Sequence, residues 1–110
     1  MKKFLDAYNG LKTALKHKAV MIQIVFGIMA IAGGAIIRLD EYEWLSFIIC
    51  IALVILCEIF NTAIEKIGDY LNDQHDERIR TIKDLSSAAV LVSAIGAFLV
   101  CLTVLIRRIR

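Results

Sequence analysis

Trp44-Leu-Ser-Phe-Ile-Ile-Cys-Ile-Ala-Leu-Val-Ile-Leu-Cys57 runs without a break into Glu58-Ile-Phe-Asn61-Thr-Ala-Ile-Glu65-Lys-Ile-Gly-Asp69, and the reading of that junction decides the fold. The apolar part alone is too short to cross a bilayer, which takes roughly 20 helical residues. Continued through the polar part to about Leu71, it is long enough. At about 100° per residue, Glu58, Asn61, Glu65 and Asp69 then share an arc of roughly 80° on one helix face, spread over about 16 Å. Carboxylates at membrane depth are costly unless paired, hydrated or bound to a cation, so each is a functional hypothesis by default. Three acids and an amide on one stripe point to a site that holds a divalent metal and handles a proton.

Two further apolar runs flank this one. Ala19–Ile37 is interrupted only by Gln23, and Ala88–Ile106 carries only Ser93 and Thr103 as polar residues. The chain has 110 residues, 59% of them hydrophobic, and no proline, which excludes an ordinary soluble domain. In residues 1–17, Phe4, Leu5, Tyr8, Leu11 and Leu15 recur at helical spacing among Lys2, Lys3, Asp6, Asn9, Lys12 and Lys16, the pattern of an interfacial amphipathic helix. Asp6 and Asn9 break the apolar core that a cleaved signal peptide would need. The fold class is therefore an all-α membrane protein of a single domain. The amphipathic helix over 1–17 is followed by spans over 19–38, 44–71 and 83–107, with a charged loop over 72–82.

Of the 13 lysines and arginines, all but Arg38, Arg107, Arg108 and Arg110 fall on one side of these spans. The positive-inside rule then expects a cytoplasmic N-terminus and a cytoplasmic 72–82 loop. A net charge of +2 offers no nucleic-acid footprint. Cys50, Cys57 and Cys101 sit in apolar surroundings and read as small packing residues.

Within the stripe, Glu65 and Asp69 offer the hard oxygen ligands that Mg²⁺ prefers, with phosphate oxygens completing its shell. Glu58 lies about two turns deeper, where a carboxylate suits a general base toward an alcohol arriving from the bilayer. At the start of the third span, Lys83 can neutralise phosphate charge beside Asp84, and Ser86 and Ser87 can hold a polar lipid head. These parts meet the needs of phosphoryl transfer: metal, compensating cations and a base near the acceptor. On the residues alone, two other readings of the stripe stay open, subunit packing and a proton or cation path.

Glu58-x-x-Asn61-Thr-Ala63-Ile64-Glu65-x-x-x-Asp69, followed by Lys83-Asp84-x-x-Ser87-Ala88-Ala89-Val90, resembles the small bacterial integral-membrane lipid kinases, the prokaryotic diacylglycerol and undecaprenol kinases. The resemblance extends to Tyr8-Asn9-Gly10-Leu11-Lys12 and covers nearly the whole chain. It implies a homotrimer in the inner or plasma membrane, with active sites between subunits at the cytoplasmic face. It also implies ATP with Mg²⁺ as phosphoryl donor and a membrane lipid alcohol as acceptor. By the same resemblance Glu58 is the catalytic base and Glu65 the metal ligand. Asn61, Asp69, Lys83 and Asp84 form a cradle for the nucleotide phosphates, while Ser87 and Lys12 fall where the family contacts its lipid or orients the amphipathic segment.

One position departs from the family. Where its members carry a glutamate that joins the other in binding metal, counting from Gly10 places Lys18. Either Lys18 contacts the triphosphate directly, as point-charge lysines commonly do, or metal affinity falls and activity is weak or lost. The presence of every other matched polar position favours the first, with Lys18 as a nucleotide contact. The acceptor is not legible in the interchangeable Ile, Leu, Val and Ala of the lipid-facing surface. The Asn61-Thr62-Ala63 and Tyr8-Asn9-Gly10 wording is similar to the Gram-positive members and Lys83-Asp84-Leu85-Ser86-Ser87 to the Gram-negative form, with the lean toward undecaprenol.

Overall fold

The computed structural model describes residues 2–71 and 76–110, and folds them into α1 (Lys2–Ala14), α2 (Lys18–Ile37), α3 (Glu41–Leu71) and α4 (Glu77–Ile109). Among the described residues there is no strand. Three of the helices are long and apolar enough to cross a membrane. At about 1.5 Å per residue, the 31 residues of α3 extend about 46 Å, well beyond a hydrocarbon core of about 30 Å. The surplus carries the lower end of the acidic stripe out of the apolar layer.

α3 is the central element and packs most extensively on α4, then on α2. Small residues allow the α2–α3 approach, as they do between helices in membranes generally. A methyl group at Gly27 would stand 2.9 Å from Ile51 Cγ2, and one at Gly34 would stand 3.1 Å from Trp44 Cη2 of α3 and 2.7 Å from Leu39 Cδ1 in the turn. Leu39, Phe47 and Val104 form the buried cluster, with Ala30, Trp44, Val100 and Cys101 against it. The three cysteines are free and half-buried. Most large apolar side chains face outward, as they do in a protein whose solvent is lipid.

α1 packs poorly on this bundle. Its Phe4 is 78% exposed and even Leu11 is 49% exposed, so the apolar stripe is left for a membrane interface rather than spent on the core. Ala14 alone is buried there.

Two helix starts differ from the sequence reading. The second span was expected from Trp44, but α3 begins at Glu41, because Asp40 and Glu43 form a capping box: Glu43 N–H donates to Asp40 Oδ1 and Asp40 N–H donates to Glu43 Oε1, each at 2.9 Å. The loop expected over 72–82 is also shorter. Residues 72–75 lie outside the described residues, and from Glu77 onward the chain is helical. There the Asp76 carboxylate caps α4 by accepting from Arg78 N–H at 2.8 Å.

The α2–α3 turn is locked from a distance. Arg38 ends α2 in the left-handed conformation, φ 59°, a conformation that costs about 1 kcal/mol or more for a residue with a side chain. Leu39 N–H then donates to Gly34 O at 3.1 Å, while the Leu39 side chain is buried against the preceding turn. Arg108, at the far end of α4, donates to Ile37 O at 2.9 Å and to Arg38 O at 2.8 Å. Its guanidinium also holds the Glu43 carboxylate at 2.5 Å, with Arg107 3.6 Å from that carboxylate.

Candidate active site

The stripe on α3 forms as its spacing requires, and its lower part opens into a cleft of about 270 Å³. One wall is the break between α1 and α2. Here Lys16 N–H donates to Thr13 O and His17 N–H to Ala14 O, closing a turn that ends α1. His17 adopts an extended backbone as the N-cap of α2. This geometry turns His17, Lys18 and Ala19 toward Asn61, Thr62, Glu65, Lys66 and Asp69 on the other wall. Lys18 and Glu65 share the cleft without forming an ion pair.

Within α3, Asn61 Nδ2 donates to Glu65 Oε1 at 2.7 Å. Asn61 Oδ1 accepts from Ser86 Oγ of α4 at 2.5 Å, and Ser86 Oγ also lies 2.9 Å from Lys83 O. Lys83 Nζ reaches across to Asp69 Oδ1 at 2.5 Å. The interhelix network thus couples Glu65, Asn61 and Ser86, with the Lys83–Asp69 pair beside it. The Asn61 amide is oriented by its two partners, while the single Ser86 hydroxyl proton is shared between Asn61 Oδ1 and Lys83 O. Among the described residues, the second carboxylate oxygens of Glu65 and Asp69 remain for a ligand.

Glu58 stands apart. It is 7% exposed, and its backbone carbonyl accepts from Thr62 Oγ1 at 2.9 Å. Its carboxylate has no hydrogen bond or ion pair among the described residues. No buried side-chain oxygen among the described residues lacks a partner, so the Glu58 carboxylate, though the residue is largely sheltered, keeps its oxygens accessible at the surface of the bundle.

The other sequence-derived positions are less gathered. Asp84 and Ser87 are exposed on α4 and line none of the described clefts. Lys12 stands over the Tyr8 ring, 5.2 Å from its centroid, away from the cleft. Beneath α1 runs a second hollow of about 640 Å³, lined by Ala7, Leu11, Ala14, Ile59 and Ala63 among others. His17, Thr62 and Lys66 border both this hollow and the cleft, so an apolar groove and a polar cleft meet along one edge.

The family described as prokaryotic diacylglycerol kinase matches residues 6–105 of this chain. The chain belongs to that family. It is 25% identical over 109 residues to the undecaprenol kinase of Bacillus subtilis, covering 98% of this chain and 89% of that protein. It is 30% identical over 92 residues to the diacylglycerol kinase of Escherichia coli K12, covering 83% of this chain and 75% of that protein. Membership in the prokaryotic diacylglycerol kinase family places the chain among lipid kinases, and with its three long apolar helices makes it a multi-pass membrane protein.

Two site residues escaped the sequence reading in part. Ser86, rather than Ser87, is the serine that joins the α3 network. Both hydroxyls had been noted, but a one-residue choice of helix face depends on how α4 is rotated against α3. His17, to which the sequence reading assigns no role, lines both hollows. Its place follows from the α1–α2 break, whose turn carries no proline or glycine signal.

Proposed function

We propose that this protein transfers the γ-phosphoryl group of ATP, with Mg²⁺, to the hydroxyl of a membrane lipid alcohol, undecaprenol in preference to diacylglycerol. The observation that carries the reading is the largely sheltered Glu58, whose accessible carboxylate has no partner among the described residues, at the deep end of a stripe whose other end opens into the Lys18–Asn61–Glu65–Asp69 cleft. A base at lipid depth and a polar cleft nearer the surface are what a reaction between a bilayer alcohol and a soluble nucleotide needs.

In this reading Glu58 accepts the proton of the lipid hydroxyl as its oxygen attacks the γ-phosphorus. The bond from that phosphorus to the β–γ bridging oxygen breaks, and ADP leaves with the electron pair. Lys18 and Lys83 offset triphosphate charge, while Asn61 orients Glu65. Asp84 lies near the nucleotide, and Ser87 and Lys12 contact the lipid or set the amphipathic helix. The donor set fits Mg²⁺, which is typically held by one or two carboxylates and by substrate phosphates rather than by a protein cage. Among the described residues no group of three or more His, Cys, Asp or Glu side chains gathers into such a cage. Glu65, with Asp69 beside it, would hold the ion. When bound, Mg²⁺ neutralises charge that develops on the transferring group.

The lysine distribution supports a cytoplasmic N-terminus and cleft, the side on which ATP is found. The family resemblance supports a homotrimer, in keeping with the outward-facing apolar helix surfaces. Phosphate transfer from labelled Mg–ATP to undecaprenol and to dioleoylglycerol, in detergent micelles with Glu58→Gln as the blank, tests the reading. Product above the blank, greater with undecaprenol, is expected. Equal product from wild type and Glu58→Gln would remove the catalytic assignment. Mg–ATP binding without product from either lipid would support a second reading, a silent relative with a structural role, which the replacement of a ligand carboxylate by Lys18 in the cleft favours.

A further inference from the structure

Gly68 is buried on α3 at its contact with α4, one residue before Asp69. No described glycine has a positive φ, so backbone conformation does not demand glycine here, and a helix interior is weakened by it relative to alanine. What demands it is proximity. A methyl group at Gly68 would lie 2.8 Å from Lys83 Cε, 3.1 Å from Ile79 Cγ2 and 3.6 Å from Lys83 Cγ. The lysine stem therefore lies along the bare backbone of α3, and this course delivers its ammonium to Asp69 Oδ1 at 2.5 Å.

We propose that Gly68 is a positioning residue for nucleotide binding, its missing side chain setting where the Lys83 ammonium stands relative to the triphosphate. The inference rests on the reading of Lys83 as a phosphate contact. Of the two groups a new methyl would press on, the lysine stem is nearer and more flexible, so it yields first. The ammonium leaves its station beside Asp69 while the helices keep theirs. Stability and nucleotide affinity then separate: alanine is the better helix former, yet the charge-assisted contact it disturbs is among the stronger kinds of hydrogen bond.

The test compares wild type with Gly68→Ala in three readouts. The thermal midpoint is expected to hold or rise. The KM for Mg–ATP is expected to increase about tenfold, the equivalent of one lost hydrogen bond to a charged group, with a smaller change in kcat. Acetylation of Lys83 by acetic anhydride, followed by peptide mass spectrometry, is expected to speed up several-fold as the amine leaves its ion pair. An unchanged Lys83 labelling rate, or faster labelling with an unchanged KM, would overturn the proposal. So would recovery of the wild-type KM in Gly68→Ala/Ile79→Ala, which would trace the defect to packing on Ile79. Absence of turnover in wild type would count against the lipid-kinase reading, while the labelling rate would still decide whether Gly68 sets the lysine.

Discussion

The two ends of the α3–α4 pair use the same kinds of side chain to opposite effect. At the end beside the α2–α3 turn, Glu43 is 3% exposed, and its carboxylate is taken up by Arg108, Arg107 and the Asp40 N–H. Arg108 gives two further donors to the carbonyls of Ile37 and Arg38 at the end of α2. At the cleft end, Glu58 is 7% exposed and its carboxylate has no partner among the described residues, where Glu65 and Asp69 each engage one, and the cleft beside them is open. Full satisfaction makes a clamp. Incomplete satisfaction among the described residues leaves capacity for a ligand, and this contrast, more than the number of charges at either end, is what supports the proposal of a site at the cleft end.

The contrast breaks most sharply under Glu58→Gln. Phosphate transfer is expected to fall by about 10²- to 10⁴-fold, the range that general base catalysis supplies, with the thermal midpoint unchanged. Loss of the fold in that variant would assign Glu58 to packing. Glu43→Ala should do the reverse, giving the largest drop in thermal midpoint of the set, because it leaves Arg108 and the α3 cap without their acceptor. Transfer per folded molecule should stay close to wild type, which a melting curve and an activity assay on the same sample would establish.

Lys83→Ala sharpens the cleft side. The KM for Mg–ATP is expected to rise about tenfold, and an unchanged KM would leave Lys83 as a surface ion pair with Asp69. Lys18→Glu places a carboxylate where the family resemblance implies one. It should lower the Mg²⁺ concentration needed for half-maximal transfer or raise activity, and a fall in activity would show that Lys18 serves the phosphates instead.

The smallest effect concerns the α4 cap. Hydrogen bonding from the Arg78 side chain, together with its backbone N–H, holds the Asp76 carboxyl below the usual aspartate range. A group with a lowered folded-state value contributes fully above its unfolded value and loses that contribution as pH falls through the folded one. Between about pH 5 and about pH 3, the melting temperature of wild type should therefore fall slightly more steeply than that of Asp76→Ala.

Helix type and approximate extent were legible from apolar periodicity, because lipid-facing and buried positions of a spanning helix are both apolar and only polar interruptions carry information. The stripe was legible for the same reason: spacings of three and four residues put Glu58, Asn61, Glu65 and Asp69 on one face wherever the helix is placed. The start of α4 was missed because its charges resemble a solvated loop until Asp76 is seen capping it. The turn at His17 was hidden by the absence of any glycine or proline.

Sequence alone determined that the chain spans a membrane by helices and that its acids and amide share a face. Both are properties of order along one chain and of helical period. Tertiary structure decided which polar groups are spent on each other and which are left for a ligand. Ser86 rather than Ser87 meets Asn61, Arg108 closes on Glu43 from 65 residues away, and the Lys83 stem crosses Gly68. These outcomes depend on the rotation and spacing of one helix against another, set by packing over many weak contacts that no local pattern encodes.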